Sequence, residues 1–314
     1  MNIAVIHGGT SSEQAVSTLN AGYVMNALGR RGYRTTDILF TRDVSRRLLE
    51  ERPDAVFLCV QGKGHGDGTL QAILDHLEIP YTGSGMQAAA IINDKILCQK
   101  LFAIEGIRIP ADCVWTKKEH CAGDGKKRFE ERLGKSGISF PCVAKAPTQG
   151  GSFGIVLIES MDAYDLMQEA FFFDSRILIE QFVSGRFATV GILEQSGIAE
   201  ALPVVEGRSR MPCGRIIKFT GEYDVYPSDL PSEIISELQN TALRTYRTLG
   251  ARGYARVDFI VEEESGRPFT LEINAVPGLK PQSLYPPAAA LAGIGYDDLI
   301  EIILQNVFFD GENG

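Results

Sequence analysis

Two short pairs, Arg256-x-Asp258 and Glu272-x-Asn274, are the residues of this 314-residue chain best suited by type and spacing to do chemistry. Strand residues two apart share a face. Residues 262–268, with Ser265-Gly266 inside them, read as the turn of a hairpin joining the two pairs. Arg256 and Asp258 then lie beside Glu272 and Asn274 on one sheet face, while Val257, Phe259, Leu271 and Ile273 turn to the other. Two carboxylates and an amide oxygen form a hard-oxygen set suited to Mg²⁺ and to the phosphates it accompanies. The plain alternative is an exposed, salt-bridged hairpin. A polar face segregated from an apolar one favours the site.

Other residues are suggestive only in company. Lys145 ends an apolar strand run and is followed by Gly150-Gly151-Ser152-Phe153-Gly154. An ammonium and the backbone N–H groups of a glycine-rich turn can surround phosphates, and an ordinary hairpin loop reads equally well. Residues 177–183 end in Glu180-Gln181-Phe182-Val183, a strand end that could read adenine or be plainly buried. Glu13 follows Thr10 by three residues, the spacing of a helix capping box. Of the four histidines, His65 alone sits in a glycine loop near a candidate site, and no Ser-His-Asp or Cys-His arrangement can be assembled locally. Two common phosphate motifs fail. Phe129 stands where a P-loop ending in Gly134-Lys135-Ser136 needs glycine, and Asp67 takes the third glycine position after Gly62-x-Gly64.

The elements that must position these groups follow from periodicity. An apolar run at residues 2–6 stops at a glycine turn, and a helical pattern follows over 16–28. A second buried run at 55–60 opens into another glycine loop and a helix over 69–77. Strands alternating with helices indicate a parallel sheet with its ligands at the strands' carboxyl ends. Beyond residue 90 the texture changes to a helix at 95–105, a polar solvated stretch at 117–137, strands at 140–146, 154–159 and 176–180, and a helix at 162–170. The last third predicts strands at 188–193, 215–219, 255–261 and 269–273 and a closing helix from Tyr296. The units are therefore 1–90, 91–183 and 184–314.

Composition narrows the function classes. Lys plus Arg is 31 against 40 Asp plus Glu, a net charge of −9, which argues against a nucleic-acid or anionic-membrane binder. No apolar stretch approaches the ~20 residues that span a bilayer. Six scattered cysteines fit reduced thiols in a cytoplasmic protein, and 44% hydrophobic residues suffice for a sizeable core.

Taken together the motifs form an ordered series. Gly8-Gly9-Thr10-Ser11-Ser12-Glu13, Gly64-x-Gly66-Asp67-Gly68-Thr69-Leu70-Gln71, Pro80-Tyr81-Thr82-Gly83-Ser84-Gly85 and Asn93-Asp94-Lys95 precede Arg256-Val257-Asp258, Leu271-Glu272-Ile273-Asn274 and Pro277-Gly278. Over nearly the whole chain this resembles the D-alanine–D-alanine ligase family of the ATP-grasp superfamily. The resemblance implies an α/β, three-domain ATP-grasp architecture, with an N-terminal parallel-sheet domain and two α+β domains enclosing ATP. It implies an ATP-dependent carboxylate–amine ligase that forms D-alanyl-D-alanine through an acyl phosphate for peptidoglycan precursor synthesis. Lys95 and Lys145 match the family's phosphate-binding lysines, and Lys218 the lysine of a closing loop. Glu180, Gln181, Phe182 and Val183 match its adenine-reading hinge. Asp258, Glu272 and Asn274 match the ligands of two Mg²⁺ ions, for which Mn²⁺ can substitute. Glu13 matches the residue holding the first ammonium, which displaces its capping reading, and Ser152 the serine that orients that substrate. Arg256 and the N–H of Gly278 would stabilise the tetrahedral oxyanion. Ser283 and Leu284 match the segment binding the second carboxylate. The family also implies a homodimer acting on small amino acids.

Departures from the family pattern gather around the amino-acid subsites. Gln61 stands where the family usually has His, with His65 nearby in the same loop, and Gly66 where it usually has Glu. Ala15 replaces a common Glu, and Phe187 falls at the ribose-binding Glu position. The closing-loop pair reads Lys218-Phe219, and in this family Phe there is associated with accepting D-lactate. Two alternatives follow: a related ligase with another second substrate, or a non-catalytic nucleotide-binding regulator. Intact Lys145, Lys218, Arg256, Asp258, Glu272 and Asn274 count against the regulator.

Overall fold

Residues 1–62, 66–209 and 223–309 are described in a computed structural model. The chain opens with β1 (Asn2–His7), α1 (Gln14–Arg30), β2 (Arg34–Leu39), α2 (Val44–Glu51), β3 (Ala55–Leu58), α3 (Thr69–His76) and α4 (Met86–Asn93). β1 pairs in parallel with both neighbours, giving the order β2-β1-β3. Ile3–Ile6 and Ala55–Leu58 are buried throughout, as expected of unbroken apolar runs covered on both faces. β2 is a largely solvent-facing edge strand, and its sequence Arg-Thr-Thr-Asp-Ile-Leu carries no apolar run, so periodicity does not announce it. β1 ends at Gly8, whose φ of 85° only glycine adopts freely, and the turn to α1 lies at the sheet's carboxyl edge.

The second group is α5 (Lys95–Ile104), β4 (Asp112–Thr116), α6 (Lys117–His120), α7 (Gly125–Lys135), β5 (Cys142–Lys145), β6 (Ile155–Ile158), α8 (Gln168–Phe171) and β7 (Arg176–Gln181). Its four strands form an antiparallel sheet in the order β4-β7-β5-β6. Trp115, Phe129 and Tyr164 fill the core beneath it. The helix expected at 162–170 is a 3₁₀ segment, Met161–Met167, running into the single turn of α8.

The third group is β8 (Gly185–Gln195), β9 (Ile198–Ala201), β10 (Val205–Ser209), β11 (Tyr223–Pro227), α9 (Ser232–Thr248), β12 (Tyr254–Glu262), β13 (Pro268–Asn274), α10 (Tyr285–Leu291) and α11 (Tyr296–Phe309). β11-β10-β8-β12-β13 pair in that order, and β9 folds back on β8. The strand expected at 215–219 lies outside the described residues. All five described cysteines are free thiols. Among the described residues no helix is long and apolar enough to cross a membrane.

Two cores join parts distant in sequence. One runs from Ile3, Val24 and Leu28 through Tyr254 and Tyr285 to Ile300 and Leu304, so the first and last helices share a core. The other sets Phe102 and Ile107 against Val257, Phe259 and Ile273. Burying large apolar side chains at roughly 1.5–3 kcal/mol each holds the walls of the cleft between the sheets in place.

Candidate functional site

The cleft has a volume of about 350 Å³, and parts of all three groups line it. From the hairpin, β12 and β13 pair in the expected register, Arg256 opposite Asn274 and Asp258 opposite Glu272. A bulge after Asp258 leaves Leu271 outside the ladder, so the polar set sits where pairing changes step. Arg256 donates from Nε to Asp258 Oδ1 at 2.8 Å and from the guanidinium end to Oδ2 at 2.9 Å, a two-pronged pair. Thr189 Oγ1 donates to Asp258 Oδ1 at 2.7 Å, and Asn274 Nδ2 to Oδ2 at 3.3 Å. Asp258 is wholly buried, whereas Arg256, Glu272 and Asn274 open onto the cleft.

Cations approach these carboxylates from another element. Lys95 begins α5 behind Asp94, which caps the helix by accepting from Ile96 and Leu97 N–H. Lys95 Nζ lies 3.5 Å from Glu272 Oε2 and donates to Gln149 O at 2.6 Å, tying the glycine-rich loop to the hairpin. The donor chemistry fits a divalent cation: two carboxylates opposed across one strand pair, an amide beside them, and positive charge now supplied by Arg256 and Lys95. Among the described residues, no three His, Cys, Asp or Glu side chains group into a metal site, so Asn274 is needed to complete this one.

Glu13 precedes α1 and its carboxylate makes no capping bond. It projects instead under the glycine-rich loop. A Cβ placed on Gly150 would come within 2.4 Å of Glu13 Oε2, so a side chain at 150 requires the Glu13 carboxylate to move aside. Burial pushes the Glu13 carboxyl above its ordinary range. Lys95 pulls it back, Glu272 raises it further, and Arg256 lowers it. Ser152 follows in the same loop with a φ of 66°, left-handed for a residue that bears a side chain.

Lys145 and Glu180 lie behind the cleft wall. Both are buried and form an ion pair with each other. Gln99 on α5 donates to Glu180 Oε1 at 2.8 Å and to Leu271 O at 3.2 Å, linking the four-stranded sheet to β13. Gln181 accepts from Ser139 N–H at 2.8 Å and donates to Pro141 O at 3.2 Å. Partly buried Phe182 and Val183 lead directly into β8.

The remaining wall is the segment after β13. Gly278, Ser283 and Leu284 line the cleft there, with Gln61 and Phe187 facing them. A Cβ on Gly66 would meet Val60 O at 3.2 Å, so a larger residue there requires the backbone to shift. His65, Lys218 and Phe219 lie outside the described residues. The structure thus gathers Glu13, Gln61, Lys95, Ser152, Arg256, Glu272, Asn274, Gly278, Ser283 and Leu284 in one cleft and sets Lys145, Glu180 and Asp258 behind its lining. Asn20, Lys280 and Gln149 also line it and were not anticipated. Of these, Asn20 carries no local signal in the sequence.

Comparison with known proteins follows the same outline. The family described as D-ala D-ala ligase C-terminus matches residues 103–305. A D-alanine–D-alanine ligase of Pelotomaculum thermopropionicum is 36% identical over 318 residues, covering 97% of this chain and 96% of that one. That of Desulforudis audaxviator is 35% identical over 317 residues, covering 96% and 97%. The crystal structure of the Bacillus anthracis ligase complexed with ATP superposes with a TM-score of 0.82 at 29% identity, covering both chains completely.

Proposed function

Because the chain belongs to the D-alanine–D-alanine ligase family of ATP-grasp fold, we propose that it joins two D-alanine molecules at the expense of ATP, for peptidoglycan precursor synthesis. The observation that carries this reading is one cleft lined together by Glu13, Gly278, Ser283, Arg256, Glu272, Asn274 and Lys95. That set suits two small amino acids lying beside a phosphate site.

Glu13 takes the ammonium of the first D-alanine, and Ser152 orients it. A carboxylate is a poor electrophile, so its oxygen attacks the γ-phosphorus of ATP, ADP leaves, and an acyl phosphate results. Lys95 and Lys145 neutralise phosphate charge, while Glu180 and the Gln181–Phe182–Val183 backbone receive adenine. Asp258, Glu272 and Asn274 would hold Mg²⁺, two ions by family position and with Mn²⁺ as a substitute, and the metal would supply further neutralisation of phosphate charge. The amine of the second D-alanine, its carboxylate held at Ser283 and Leu284, attacks the acyl carbon. The oxyanion forms toward Arg256 and Gly278 N–H, and phosphate departs. By family position Lys218 is assigned to the phosphates. We also assign the units 1–90, 91–183 and 184–314, since the strands of each sheet fall within one range, and a homodimer in the cytosol.

Incubation with ATP, Mg²⁺ and D-alanine, with and without D-lactate, followed by mass spectrometry tests the assignment. D-alanyl-D-alanine is the expected product. A product only with D-lactate would make Phe219 the specificity residue, and none in either tube would overturn the reading.

A further inference from the structure

Two carboxamides from separate elements hold the segment after β13 on either side of Gly278. Gln61, just beyond β3, donates from Nε2 to Val276 O at 2.6 Å. Its own carbonyl is fixed by Ser11 Oγ at 2.8 Å. Asn20, buried on α1, accepts at Oδ1 from the N–H groups of both Leu279, at 3.1 Å, and Lys280, at 2.9 Å. Tyr296 OH adds a bond to Leu279 O at 2.8 Å. The N–H of Gly278 takes no partner among the described residues, so the ties leave it available while fixing the peptides before and after it.

We propose that Asn20 and Gln61 are positioning residues that set Gly278 N–H for the acyl-transfer step. The inference rests on the ligase reading for the role of Gly278, but the clamp itself is a matter of geometry. Glu13 is the residue immediately before α1, and Asn20 lies in the second turn of that helix. α1 therefore fixes the distance from the first-substrate anchor to the oxyanion donor. Gln61 does the same from the parallel sheet. At a position where the family usually has His, this chain carries a group that does not titrate, so the tie to Val276 is the same across the working pH range. A two-bond acceptor is also hard to replace. Its loss leaves two neighbouring N–H groups unsatisfied, that of Leu279 buried and that of Lys280 partly so, which is costlier than losing one surface hydrogen bond.

The test uses the full chain and three variants: Asn20→Leu, Asn20→Asp and Gln61→Leu. Amide hydrogen exchange without substrates is expected to accelerate at least tenfold over residues 277–284 in Asn20→Leu and less in Gln61→Leu. In Asn20→Asp, which keeps the acceptor, it stays near wild type. In steady-state assays kcat falls tenfold or more in Asn20→Leu, while KM for ATP moves less than twofold. Asn20→Asp recovers most of kcat. Unchanged exchange in the leucine variants overturns the clamp, as does faster exchange with unaltered kcat. Should Asn20→Leu fail to fold, Gln61→Leu and Asn20→Asp decide the question alone. A wild-type chain that makes no dipeptide would instead sink the ligase reading, and the exchange data would still report on the clamp.

Discussion

Lys145 and Glu180 meet across two neighbouring strands of one sheet, whereas Gln61 reaches Val276 over 215 residues of sequence and Asn20 reaches Leu279 over 259. Apart from Lys95, which α5 brings in, the phosphate-facing half of the site is built by strand register, from residues two apart, directly opposed or diagonal. The amino-acid-facing half is built by packing, from β3, α1 and the segment after β13 meeting over a shared core. Register is set by a few local bonds and tolerates little variation. A wall assembled from distant segments can be rebuilt residue by residue, and the family departures at Gln61 and Gly66 fall there.

The largest effect should come from breaking the register-built half. Replacing Arg256 by leucine removes a two-pronged charged partner from the wholly buried Asp258 carboxylate. Turnover should drop on the order of 10²–10³-fold and stability by about 3 kcal/mol. Steady-state kinetics and denaturant unfolding read the two separately. Glu180→Gln comes next. It strands the Lys145 ammonium in a buried site, so KM for ATP should rise at least roughly tenfold, with KM for D-alanine unchanged.

Much of the register-built half was legible in the sequence. The alternation around Arg256, Asp258, Glu272 and Asn274 is period two with an apolar reverse side, and the glycine at 266, with its φ of 67°, marks the turn. The bulge that displaces Leu271 was not visible, because nothing in the residue types distinguishes it. The amino-acid half was legible only through motif order. Thr10–Glu13 has capping-box spacing, but the Glu13 side chain turns away from the helix to fill the space that Gly150 vacates, a contact across 137 residues. Asn20 carried no local sign at all, since its partners are backbone groups at the far end of the chain. Strand β2 was missed for a different reason: an edge strand faces solvent and needs no apolar run.

Two smaller predictions sharpen the packing-built half. Burial holds the Glu13 carboxyl above its ordinary range. A raised carboxyl contributes stability in full below the ordinary carboxylate range, lost as pH rises through the raised value. Binding an ammonium needs the ionised form, so KM for the first D-alanine should climb as pH falls through that same value. Glu13→Gln should raise this KM about tenfold and flatten its pH profile. Smallest should be Gly150→Ala, whose methyl displaces the Glu13 carboxylate without removing it. A several-fold rise in the same KM with unchanged KM for ATP is expected from initial-rate data.

The central claim is that the first D-alanine is activated through its own carboxylate oxygen in this cleft. The direct measurement is the fate of ¹⁸O carried by that carboxylate, followed in the phosphate released during dipeptide synthesis. The account predicts one labelled oxygen in inorganic phosphate per turnover and none in the nucleotide. Label appearing in AMP, or phosphate released without it, would contradict the account.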